Sequence, residues 1–278
     1  MMTRRQFMAV ATAAALCCRA RAEAAGRMLD FQIGDGFGDA NKADIEAVLR
    51  SAAESIWRHC PNTRWEVTGF YIYHRRDYPI CLDEHRVDGR IAIGLTTQGR
   101  YWAQFAFQFA HEFCHALAGH SNDWRRLWRG GQPANQWLEE SLCETASLFA
   151  LRAMARSWQT VPPYPNWKDY AGSLMKYARE RLDKAALPTG TTFVAWFREN
   201  EAEMRKNGCL REMNNVVARQ LLSLFEANPS GWETITFYRL GQCDPDESLA
   251  KRFGVWSAAA PVAQRGFICS LARIFAVG

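Results

Sequence analysis

Three side chains able to act together, His111, Glu112 and His115, stand in the run Phe-Ala-His-Glu-Phe-Cys-His-Ala-Leu. Histidines at this spacing on a helix project from one face on successive turns, so both imidazoles can ligate one metal ion. Glu112, one step round the helix, can reach a water on that ion without coordinating the ion itself. A second run, Gln-Trp-Leu-Glu-Glu-Ser-Leu-Cys-Glu-Thr from Gln136, supplies acids. Glu140 lies 25 positions after His115, and Glu144 follows it by one helical turn, so both carboxylates point the same way.

Together the two runs resemble the gluzincins, the thermolysin-like and aminopeptidase-like metallopeptidases, over about Tyr101 to Met154. Trp137-Leu138-Glu139-Glu140-Ser141 is similar to that clan's Trp-Leu-Asn-Glu-Gly box, with Glu140 at the ligand position. The resemblance implies a zinc ion held by His111, His115 and Glu140, and peptide-bond hydrolysis with Glu112 as general base. It also makes Glu144 the acid that hydrogen-bonds a ligand histidine and fixes its tautomer. Two positions depart from the pattern: Glu139 stands for the usual Asn and Ser141 for the usual Gly. Glu139 is a rival to Glu140 as ligand, and Glu140 is preferred because it alone has an acid four residues on.

Other implications of the resemblance bear on substrate. Gluzincins present a Tyr or His to the developing oxyanion, and Tyr164, Tyr170, Tyr177 and His120 are available. The glycine-rich motif with which aminopeptidases of the clan hold a terminal amine is absent before His111, which favours an endopeptidase acting on a peptide or protein. A metzincin site is rejected because His120 follows His115 by five residues and Gly119 by four, where that clan needs six and three. Two alternatives stay open: a non-catalytic zinc-binding or scaffold protein with a zincin fold, and an amidase of the cell envelope.

The elements that must position these groups are readable from periodicity. Asp39 or Asn41 can cap a helix reaching about His59, with Ile45, Val48, Leu49, Ala52, Ile56 and Trp57 as its apolar stripe. Trp65 to His74 and Arg90 to Leu95 read as strands. The charge-rich stretch Arg75 to Arg86 reads as an exposed excursion, and Arg90 to Leu95 as the strand that accepts an extended substrate. Helices are expected over Tyr101 to Ala118 and Gln136 to about Trp158. Val161-Pro-Pro-Tyr-Pro-Asn166 then reads as a stiff linker. Beyond it come helices near Trp167 to Leu187, Thr192 to Lys206, Leu210 to Glu226, Asp246 to Phe253 and Pro261 to Phe275. The expected fold is α+β and zincin-like: residues 25–160 form a catalytic half of helix and strands, residues 161–278 an α-helical half, and the zinc site lies between them.

The first 24 residues read as an export signal. Thr3-Arg4-Arg5-Gln6-Phe7-Met8 resembles the twin-arginine consensus, Ala9 to Leu16 is weakly apolar, and Ala20-Arg21-Ala22 and Ala22-Glu23-Ala24 both fit a cleavage site. That order implies a periplasmic or secreted protein, and no later segment is apolar enough to span a membrane. The chain carries 34 basic and 29 acidic residues, and setting aside Arg4, Arg5, Arg19 and Arg21 leaves 30 against 29. Near-neutrality gives no support to a nucleic-acid partner. Of the cysteines beyond the signal, Cys114 and Cys143 each sit three residues after a candidate ligand. They read either as a disulfide stapling the site or as small buried hydrophobes, and neither as a zinc ligand.

Overall fold

Strand-forming residues come early and helix-forming runs late, and the fold follows that order. It is seen in a computed structural model that describes residues 29–65, 67–119, 133–241, 244 and 246–277. The export-signal reading lies outside these residues, as do His120 and Cys243. The architecture is mixed α+β: a small four-stranded sheet precedes a larger set of helices.

Strand β1 (Asp30–Ile33) leads into helix α1 (Lys42–Trp57), followed by β2 (Gly69–His74), β3 (Ile80–His85) and β4 (Ile91–Leu95). The sheet order is β1-β2-β4-β3, with β1, β2 and β4 parallel and β3 antiparallel to β4. Asn41 starts α1 by accepting the Ala43 N–H at 2.9 Å. The expected stripe of Ile45, Val48, Leu49, Ala52 and Ile56 is buried.

Two strand expectations need correcting. Arg75 to Arg86 is no simple excursion, because it contains β3, the outer strand of the sheet. Conversely β4, expected to receive a substrate, is paired on both sides and buried throughout, so its backbone groups are already used. The cause is composition: charged Asp83 and Glu84 hide the alternation of an edge strand, where outward polar groups are normal. Strand β1 was not expected at all, since four residues carry too little periodicity to stand out.

Helix α2 (Trp102–Ala118) is oriented by its phenylalanines. Phe105, Phe109 and Phe113 recur every helical turn and form one stripe. Phe109 and Phe113 meet Phe31, Phe70 and Trp57 of the sheet and α1 with ring centroids 5.6 to 6.2 Å apart. With that face committed to the sheet, the face bearing His111 and His115 turns toward α3 (Gln136–Ser157). The helices are tied directly, for the Ser147 hydroxyl donates to the Phe107 carbonyl at 2.7 Å. Gly119 ends α2 in the left-handed region at φ 91°, and a Cβ there would meet the Trp65 ring at 2.2 Å.

Helix α3 is enclosed by α1, α2 and later helices, which is why polar residues such as Ser141, Thr145 and Ser147 lie buried on it. Each hydroxyl finds a backbone carbonyl at 2.7 Å. The chain continues through a 3-10 segment, Pro165–Tyr170, to α4 (Ala171–Lys184), α5 (Phe193–Lys206) and α6 (Arg211–Ala227). A second 3-10 segment, Pro229–Phe237, leads to α7 (Leu249–Ala259) and α8 (Val262–Ile274). Among the described residues no helix is long and apolar enough to cross a membrane.

Candidate metal centre

The neighbouring faces of α2 and α3 bring His111, His115 and Glu140 to one point. The Nε2 atom of His111 lies 3.3 Å from Glu140 Oε2, and that of His115 lies 3.6 Å from Glu140 Oε1. Donors bonded to one ion at 2.0–2.1 Å in a tetrahedral site stand about 3.3–3.4 Å apart, so these separations suit a shared metal ion. The imidazole centroids are 5.1 Å apart with planes inclined at 65°.

Each ring has a carboxylate behind it. Glu139 Oε1 lies 2.8 Å from His115 Nδ1, the ring nitrogen other than the one that faces Glu140. Arg239 grips the same carboxylate through Nε at 2.9 Å and Nη2 at 2.7 Å. Glu144 Oε1 lies 3.6 Å from His111 Nδ1, slightly beyond hydrogen-bond reach, and 3.4 Å from Arg211 Nε. His111 Nδ1 and Glu144 Oε2 are buried without a hydrogen-bond partner among the described residues.

The charge balance favours a cation. Glu112, Glu139, Glu140 and Glu144 are set against Arg211 and Arg239, which leaves two negative charges when both imidazoles are neutral. Asp83 on the cleft wall adds to the same sign. The titration directions agree. Burial alone would lower the His115 pKa, but Glu140 and Glu139 outweigh it and hold the ring well above the usual histidine value. His111 is raised in the same way, burial being outweighed by Glu140, Glu144 and Glu112. Burial would raise Glu139, yet Arg239 and His115 bring it down to about 2. Glu140 is likewise held well below the usual carboxylate range, against burial, by the two histidines. Both directions mean that the surrounding acids favour positive charge at the rings.

A third residue of α3 also approaches the histidines. Ligand-capable atoms of His111, His115 and Cys143 lie within 4.8 Å of one another, so this buried group can hold a metal ion. The oxygens of Glu140 face the same two Nε2 atoms at 3.3 and 3.6 Å, so Glu140 competes with Cys143 as third donor. Cys143 is further engaged with the Cys114 thiol, and burial pushes its pKa well above the ordinary value, opposing the thiolate that a metal requires. Cys114 and Cys143 are buried thiols in contact, not a disulfide.

His111, His115, Glu139, Glu140 and Glu144 line a cleft of about 640 Å³. Glu112 lines it too, with its pKa raised first by burial, and its carboxylate accepts a hydrogen bond from the Cys81 backbone amide of β3. One wall is the stretch Tyr78 to Asp83, which includes the start of β3. None of the tyrosines considered for the oxyanion lines this space. Tyr170 accepts from the Ala103 N–H at 3.3 Å, Tyr177 accepts from Arg181 at 2.6 Å, and Tyr164 packs on Trp167. Trp102 and Trp137 are core residues. Arg211, Arg239 and β3 are the parts that sequence reasoning missed, and no local spacing pointed to the two arginines. No family model, curated protein or solved structure matches the chain.

Proposed function

We propose that the protein is a zinc-dependent peptidase of the gluzincin type, with a zincin-like arrangement of its sheet and two metal-bearing helices. The observation that carries this reading is the meeting of both imidazole Nε2 atoms with the two oxygens of Glu140, in a cleft that Glu112 also lines. His111, His115 and Glu140 would hold the zinc ion. When bound, zinc polarises a substrate carbonyl and acidifies water.

The chain's own groups do the rest. Glu112 takes a proton from the attacking water and passes it to the leaving amine, and its raised pKa suits both roles. Glu139 holds His115 by its hydrogen bond and Glu144 faces His111 Nδ1 at 3.6 Å, an arrangement that would turn both Nε2 lone pairs toward the ion. The β3 edge offers backbone groups to an extended peptide, which is the part first given to β4. A structural zinc site usually has four protein ligands, whereas three donors facing an open cleft suit catalysis.

Glu112→Gln tests the reading. The variant is expected to bind zinc as the wild type does and to lose about 100-fold or more of its chelator-sensitive peptide hydrolysis, measured by metal analysis and mass spectrometry of the products. Undiminished hydrolysis would remove Glu112 from the chemistry. Wild-type protein that takes up zinc yet cleaves no peptide would point to the binding-protein alternative.

A further inference from the structure

Besides the β3 stretch, the cleft is lined by Cys209 and, at the start of α6, by Arg211 and Asn214. The two arginines of the cleft are placed differently. Arg239 is buried, with Nε and Nη2 on Glu139. The Arg211 side chain is 56% exposed and meets the 2%-exposed Glu144 through Nε at 3.4 Å. Arg211 is thus anchored at one edge of its guanidinium, and no described residue is bonded to its Nη1 or Nη2. An arginine presents its N–H donors in a flat fork, and a carboxylate can accept two of them in parallel.

We propose that Arg211 determines substrate specificity by binding, through its Nη groups, a carboxylate of the substrate close to the bond that is cut. This rests on the peptidase reading of the same cleft and narrows its substrate class. The path from His111 through Glu144 to Arg211 runs over contacts of 3.6 and 3.4 Å. It keeps the Nη groups within about 14 Å of an ion on His111 Nε2. An extended peptide advances about 3.3–3.6 Å per residue, so the carboxylate lies within about four residues of the cut. It is either the chain terminus of a peptide trimmed from its C-terminal end or the side chain of a nearby Asp or Glu. Exposed Tyr78 and Leu82, which line the same cleft, offer apolar contact to the body of the peptide.

The test is calorimetric binding to the zinc-loaded full chain carrying Glu112→Gln, so that the probe is not consumed. Three acetylated pentapeptides of alanine and phenylalanine serve as probes: the free acid, the C-terminal amide, and the amide with one internal glutamate. A carboxylate is expected to tighten binding about 10- to 100-fold over the plain amide, and the arm that shows the gain identifies its source. Adding Arg211→Gln should erase the gain, so that within that variant all three peptides bind alike, while Arg211→Lys should keep only part of it. Equal binding of all three peptides, or a gain that survives Arg211→Gln, would overturn the proposal. Zinc content and wild-type hydrolysis are followed in parallel. A carboxylate gain without any hydrolysis would defeat the peptidase reading alone, and hydrolysis without a gain would defeat this inference alone.

Discussion

Arg239 illustrates how much one side chain can carry. It is buried beside a buried acid, and removing one member of such a pair costs about 3–5 kcal/mol because the other charge is left in a poor solvent. Arg239→Met is therefore expected to lower stability by that order and, by freeing Glu139 from its place behind His115, to weaken zinc binding about 10- to 100-fold, as denaturant titration and metal competition would show. Pairing it with Glu139→Asn leaves no lone charge and should recover most of the stability. Glu139 also has a pH signature. Its folded pKa is about 2 against an ordinary 4.5, so its contribution is complete above pH 4.5 and is lost as pH falls toward 2. The shift corresponds to about 3 kcal/mol. In chelated protein, Glu139→Gln should flatten the stability profile across that interval, and an unchanged acid limb would argue against the pair. His111, Glu112, His115 and Glu140 could be read from sequence because helical spacing is local. The partner of Glu139 could not, since it arrives from 100 residues away.

At the scale of elements, packing between α2 and α3 sets the distance on which the site depends. Gly119 lets the chain leave α2 beneath Trp65, and both its φ of 91° and the 2.2 Å approach bar a side chain there. Gly119→Ala is expected to cost about 1–3 kcal/mol, measured as a lower denaturation midpoint with little change in slope. The long helices were legible because apolar stripes and caps such as Asn41 and Thr192 repeat the same message over many residues. The 3-10 segment Pro229–Phe237 was not, for it is held by tertiary contacts such as the stacking of Phe225 on Trp232. Strand β3 fell between these cases: its sequence alternates, but its charges belong equally to a loop.

For the whole molecule the remaining question is where it works. The proposed twin-arginine route carries proteins already folded, which would allow the metal to be acquired beforehand. Replacing Arg4 and Arg5 by Lys is expected to leave active, full-length precursor in the cytoplasm, seen by fractionation and immunoblotting, whereas normal export would reject the route. Assembly order follows from the long reach of Arg239 to Glu139. A ribosome releases His111, Glu112, His115 and Glu140 well before it has translated position 239, so a nascent chain holds the proposed hydrolytic groups while His115 still lacks its full brace. On the proposed reading, a polypeptide not yet extended to Arg239 would be a poor protease, and neighbouring proteins would be spared until that residue has been made.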